Sequence, residues 1–261
     1  MQQRKQPKNP SNPSQHTLNK HKAYQEGGDK DKNGYKNFTL SPAQLECQKV
    51  IQNNIITFIE GIAGGGKSLV ALYCAVKTYL ADPSSKIIVI RTPMEATLHD
   101  KVGFLPNDLK AKLDPHFAST KLLLEQLLNP SKVDADLNGP HKRIEFLVPN
   151  FALGCTFDNA FIIVDEGQTQ NPVIMKLLLE RIGTNSKMVV LGDPSQVYSS
   201  NKDRQGMRDA MLKFFNVDAK SEIVDSKYPD IGYYKFNIDD CMRSDIVKTV
   251  LRAYANSPLG K

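Results

Sequence analysis

The stretch Gly61-Ile62-Ala63-Gly64-Gly65-Gly66-Lys67-Ser68 constrains this chain more than any other, because it joins two apolar runs of different period. Ile55 to Glu60 reads as a strand and Lys67 to Ala81 as a helix, so the glycines fall in the turn between them. Glycine accepts left-handed backbone and carries no Cβ, which lets successive N–H groups turn inward around an anion. Lys67 adds a point charge, and Ser68 adds a hydroxyl suited to a hard cation such as Mg²⁺. The helix that follows aims its partly positive N-terminus at the same place. The pattern predicts a phosphate cradle built from Gly61, Ile62, Ala63, Gly64, Gly65, Gly66, Lys67, Ser68 and Leu69. A glycine-rich turn without a ligand is the rival reading, and the strand–loop–helix context argues against it.

Strands and helices alternate along the rest of the chain. Ser41-Pro42 reads as a cap followed by proline at the first helical position, opening a helix to about Asn53. Further strands are expected at Lys86–Arg91, Ile144–Pro149, Asn159–Val164 and Lys187–Leu191. Helices are expected from about Met94 to Leu128 with breaks at Pro106 and Pro115, then at Val173–Ile182, Gly206–Phe215 and Asp240–Asn256. Short apolar strands between helices imply a parallel sheet covered on both faces, a three-layer α/β domain over 38–261. Residues 1–37 are rich in Gln, Asn, Lys, Pro and Gly with almost no aliphatic residues, and read as a disordered tail.

Two more strand ends carry polar residues. Phe161-Ile162-Ile163-Val164 runs into Asp165-Glu166, two adjacent carboxylates at the sheet edge where ligands of open parallel sheets bind. Asp165 suits Mg²⁺, and Glu166 suits a base that orients and deprotonates a water. Val189-Val190-Leu191 runs into Gly192-Asp193-Pro194-Ser195-Gln196, where Gln196 either senses a terminal phosphate or belongs to a plain turn.

Composition excludes several classes. The chain is 40% hydrophobic and 24% charged, as soluble globular proteins are, and no apolar run approaches the roughly 20 residues that cross a bilayer. The N-terminus lacks the apolar core of a secretory signal, so a cytoplasmic location is expected. Cys47, Cys74, Cys155 and Cys241 lie far apart, in a spacing that fits neither a zinc site nor a disulfide framework. Of the net charge of +6, residues 1–38 hold a surplus of five, with eight Lys/Arg against Glu26, Asp29 and Asp31. Such a tail adds salt-sensitive attraction to nucleic acid or is simply a solvated arm.

Taken together, the motifs resemble the PhoH family, whose core is like the first RecA-like domain of superfamily 1 helicases. The likeness runs from about Leu40 to Tyr254 and includes Arg91-Thr92-Pro93-Met94-Glu95-Ala96, Val102-Gly103-Phe104-Leu105-Pro106-Asn107-Asp108-Leu109-Lys110, Gly154-Cys155-Thr156-Phe157-Asp158-Asn159-Ala160 and Asp240-Cys241-Met242-Arg243. The resemblance implies a RecA-like P-loop ATPase using ATP and Mg²⁺, with Lys67, Glu166 and Gln196 catalytic and Ser68 and Asp165 on the metal. It implies that Gln44 reads adenine, and that Arg181 or Arg243 acts as an arginine finger, each with a surface salt bridge as its rival. Gly65 stands where the family usually has threonine, Gly167 where it has alanine, and Ser244-Asp245 where it has His-Pro.

Further expectations follow from that resemblance. One such domain leaves transition-state charge partly unneutralised, and a missing finger costs about 10³ to 10⁵ in rate. A neighbouring subunit is therefore expected to supply Arg181 or Arg243 in a head-to-tail ring, with six subunits resembling related ATPases. RNA or single-stranded DNA is the expected partner, touched by Arg91-Thr92-Pro93 at its backbone. The run Lys227 to Phe236 either stacks on a single strand or forms a strand pair on the core. The alternative function is a nucleotide-dependent regulatory or binding module with little turnover.

Overall fold

The computed structural model describes residues 38–62, 64–92, 109–193 and 205–255, with the backbone alone for 109–114. The expected tail 1–37, Ala63, the stretch 93–108 and Gln196 lie outside the described residues. Order starts with a reciprocal cap. The Ser41 hydroxyl accepts from the Gln44 N–H at 3.3 Å, and the Gln44 side-chain oxygen accepts from the Ser41 N–H at 2.9 Å. This capping box opens α1 (Pro42–Asn53), whose Gln44, Cys47 and Ile51 fall on one buried stripe.

Strand β1 (Ile56–Gly61) leads through the glycine loop into α2 (Lys67–Ala81), and β2 (Lys86–Arg91) follows. Then come α3 (Leu109–Leu127), α4 (Pro130–Asn138), β3 (Ile144–Leu147), the single turn α5 (Pro149–Ala152) and β4 (Ala160–Asp165). The chain continues with α6 (Pro172–Leu179), β5 (Lys187–Gly192), α7 (Gly206–Phe214), β6 (Phe215–Val217), β7 (Ile223–Ser226), β8 (Ile231–Phe236) and α8 (Asp245–Ala255). Six strands form one parallel sheet in the order β3-β2-β4-β5-β1-β8, and β6 and β7 make a separate antiparallel ribbon.

Strand alternation sorts the core into two layers. Ile87, Val89, Phe161, Ile163, Val189 and Leu191 pack against α1, α2 and α3, while Ile88, Ile90, Ile162, Val164, Met188 and Val190 pack against α6 and α7. This is the expected three-layer P-loop NTPase architecture. Helix α2 leaves β1 toward one face, and α7 follows β5 on the other. Because β1 and β5 are neighbours, a crevice opens at their C-terminal ends. No described helix is long and apolar enough to cross a membrane.

Some expected elements differ. Helix α3 runs through Pro115 instead of breaking there. Proline in a helix interior costs about 3 kcal/mol, and burial of Phe117, Leu124 and Leu127 downstream offsets it. Strand β3 stops at Leu147 because Pro149 opens α5. The run Lys227–Phe236 is not a strand pair; it contains β8, which adds to the sheet edge in parallel beside β1. Helix α4 was not expected, and its start depends on Asn129, whose side chain accepts from the Ser131 N–H.

Candidate functional site

The glycine loop turns the chain from β1 into α2 with Gly64 at φ +89° and Gly66 at φ +88°, both left-handed. Gly66 is the N-cap of α2 and supplies no side-chain cap, so the first-turn N–H groups of that helix remain available to an anion. Lys67 folds back over the loop, its Nζ donating to the carbonyls of Gly61 and, at 2.9 Å, Ile62. Ser68 and Leu69 follow in the first turn, with Leu69 packed on the core.

The loop is gripped from outside as well. A Cβ on Gly61 would lie 2.7 Å from the Phe236 Cβ, and one on Gly65 would lie 3.0 Å from the same atom. A Cβ on Gly64 would lie 2.9 Å from the Arg243 stem, and one on Gly66 would collide with the Gln44 amide nitrogen. Gly65 thus lies under a phenylalanine from β8 pressed against the loop. The Met242 N–H also donates to the Gly64 carbonyl at 3.0 Å. The segment after β8 therefore seats exposed Arg243 on the P-loop of its own chain. The sequence suggested that a neighbouring subunit supplies Arg181 or Arg243; within this chain, the segment after β8 sets Arg243 beside Gly64.

Opposite the loop, β4 ends in the two carboxylates. Glu166 takes a left-handed conformation, φ +54°, uncommon for a residue with a side chain. Three contacts hold it there. Its carbonyl accepts from the Thr169 N–H at 2.9 Å and the Thr169 hydroxyl at 2.7 Å, and its Oε2 accepts from Gln168 Nε2 at 2.7 Å. Gln168 is buried, and its own oxygen accepts from the Asp193 N–H at 3.1 Å. It links the ends of β4 and β5, a role missed in the sequence because nothing in its spacing marks it.

Arg91, at the end of β2, reaches across to both acids, 3.6 Å from Asp165 Oδ2 and 3.3 Å from Glu166 Oε1. The neighbouring Thr92 hydroxyl bonds to Gln170. The pair expected to touch a nucleic-acid backbone is here engaged with the carboxylate loop. Burial raises the Asp165 pKa, with Arg91 opposing the shift. Burial lowers the Lys67 pKa, while Asp193, Glu166 and Asp165 oppose it and Arg243 adds to it. These charges share one volume, at the C-terminal edge of the sheet.

Arg181 is elsewhere. It sits beyond α6, where the Phe157 N–H donates to its carbonyl ahead of the first residues of β4. Its guanidinium donates to the carbonyls of Leu177 at 3.1 Å, Leu153 at 3.0 Å and Cys155 at 3.4 Å. That is the N-terminal edge of the sheet, opposite the glycine loop. The run Lys227–Phe236 is engaged in packing: the Tyr233 hydroxyl donates to Glu60 at 2.9 Å and Tyr234 meets Phe236 edge-on.

The parallel sheet, the uncapped helix behind a glycine loop and the carboxylates across the crevice define the fold of a P-loop ATPase domain. Its likeness to a mutant ATPase domain of the Thermus phage P74-26 large terminase has a TM-score of 0.51, covering 85% of this chain and 90% of that one at 14% identity. The sequence matches the PhoH-like protein family over residues 38–255, and the chain belongs to that family. It is 33% identical over 214 residues to a PhoH-like protein of Synechocystis sp. (strain ATCC 27184 / PCC 6803 / Kazusa), covering 82% of this chain and 61% of that protein. With Protein PhoH of Escherichia coli (strain K12) it shares 30% over 213 residues, 82% of this chain and 56% of that one. The chain thus spans about three fifths of the length of these relatives.

Proposed function

We propose that this chain binds and hydrolyses ATP with Mg²⁺, and the observation that carries the reading is the uncapped N-terminus of α2 facing Asp165 and Glu166 across the crevice. Backbone N–H groups between Gly61 and Leu69 hold the phosphates, and Lys67 leaves the loop carbonyls to meet the terminal ones. Ser68 and Asp165 are the residues that would hold Mg²⁺, which supplies charge neutralisation at the phosphate oxygens when bound. No group of three or more His, Cys, Asp or Glu among the described residues is arranged to hold a metal ion. A hydroxyl and a carboxylate are thus a fitting set only when phosphate oxygens and water complete the shell. Glu166, fixed by Gln168 and Thr169, accepts the proton of the attacking water. Arg243 supplies positive charge from the same chain, and Gln196 completes the set as a phosphate sensor.

Coupling to RNA or single-stranded DNA and assembly into a head-to-tail ring of six belong to the same proposal, on the strength of the family resemblance. A nucleotide-dependent switch with little turnover is the second reading, favoured by Arg91, which in this structure occupies both carboxylates. Phosphate release with and without added RNA separates the two. The first reading expects steady Mg²⁺-dependent release that RNA accelerates and that Lys67→Ala abolishes. Release that stops after one turnover supports the switch, and release that survives Lys67→Ala removes the site assignment. Light scattering with ATP and Mg²⁺ tests the ring.

A further inference from the structure

We infer that Gln44 is a positioning residue of the phosphate cradle and that the chain does not select adenine through it, an inference that rests on the nucleotide reading above. To read adenine, a glutamine turns both ends of its amide to the base, donating to N7 and accepting from the N6 amino group. Here the oxygen is bonded elsewhere and the nitrogen is hemmed in by the loop. The oxygen accepts from the Ser41 N–H at 2.9 Å as half of the capping box that starts α1. Turning the amide over would set two donors face to face, so Ser41 determines its orientation. The nitrogen then lies against Gly66, so closely that no Cβ fits there. The residue is only 2% exposed, which leaves no edge for a base.

Gly66 is also the residue from which the free N–H groups of α2 start, at φ +88°. Gln44 therefore ties the first turn of α1 to the point where the phosphate donors begin. Cys47 and Ile51 from α1 share a core with Val70, Cys74 and other residues of α2, so the two helices behave as one support for the loop. A change at Gln44 is transmitted to the phosphates and leaves the base unaffected.

The test measures equilibrium binding of ATP, GTP and inorganic tripolyphosphate, each with Mg²⁺, to the wild-type chain, Gln44→Glu and Gln44→Ala. Gln44→Glu keeps an oxygen to accept from Ser41, preserving the capping box, and places a second carboxylate oxygen against Gly66. All three ligands are expected to weaken by a common factor of roughly a hundred, the scale of one like charge at close range near a protein surface. Gln44→Ala is expected to weaken all three by a common factor of about five, the scale of one hydrogen bond. In both variants the ATP:GTP ratio stays as in the wild type. A ratio that moves tenfold while tripolyphosphate binding holds would make Gln44 a base reader and overturn the inference. So would wild-type binding of all three ligands by both variants. If the wild-type chain binds none of the three, the nucleotide reading fails instead.

Discussion

The two edges of the sheet carry similar residues and treat them in opposite ways. At the N-terminal edge, the Arg181 guanidinium donates to three backbone carbonyls, and the Asp158 carboxylate accepts from the Thr184 N–H at 2.6 Å. Asn159 and Asn185 take left-handed backbone there, and their side chains bond to each other at 3.0 Å. At the C-terminal edge, Glu166 takes the same kind of backbone, yet Lys67 rests on its own loop and Arg243 lies exposed over it. Both edges use turns, arginine and carboxylates. Only one leaves donors and charges able to change partners, and that is what a ligand site requires and a structural turn avoids.

Four substitutions break or sharpen this contrast. The largest effect is expected of Glu166→Gln, which retains bound ATP while lowering turnover by about 10³, the scale of a lost general base. Unchanged turnover would remove the base from Glu166. Arg243→Ala follows closely, with a loss of about 10³, the low end of what a missing arginine finger costs. Mixing Arg243→Ala with Glu166→Gln chains distinguishes cis from trans action: an arginine acting in cis restores nothing, whereas recovered activity would show that it reaches a neighbour.

Arg181→Ala is expected to leave kcat unchanged and to cost about 2 kcal/mol by orphaning its carbonyls, a fall in Tm of about 5 °C. Turnover lost at an unchanged Tm would move Arg181 into the catalytic set. The smallest effect is expected of Gly65→Thr, which presses a Cβ toward Phe236 and costs about 1 kcal/mol. In a Phe236→Ala background that cost should shrink, and denaturant titration of the four proteins reads it.

Much of the site was legible because it sits on strand ends and a helix start. Helix α2 and strand β2 lie where the pattern predicts, Lys67–Ala81 and Lys86–Arg91. The cap at Ser41 was equally plain, since a serine, a proline and an apolar stripe agree locally. Gln168 and Arg91 were not legible in the same way. Their partners lie 25 and 75 positions away, across neighbouring strand ends, and no local pattern records such a meeting. Pro115 misled for a related reason, because the helix survives it through packing that local propensity does not contain.

The sequence alone determined the glycine loop, the lysine and serine after it and the carboxylates at the end of an apolar strand, since each depends on a few adjacent residues and on strand or helix period. Which residues close around that loop was decided by tertiary structure. Strand order placed Phe236 and Arg243 beside β1, sent Arg181 to the far edge and set Gln44 against Gly66. Those placements follow from pairing and burial between distant segments, where many local choices are compatible and only the packed whole selects one.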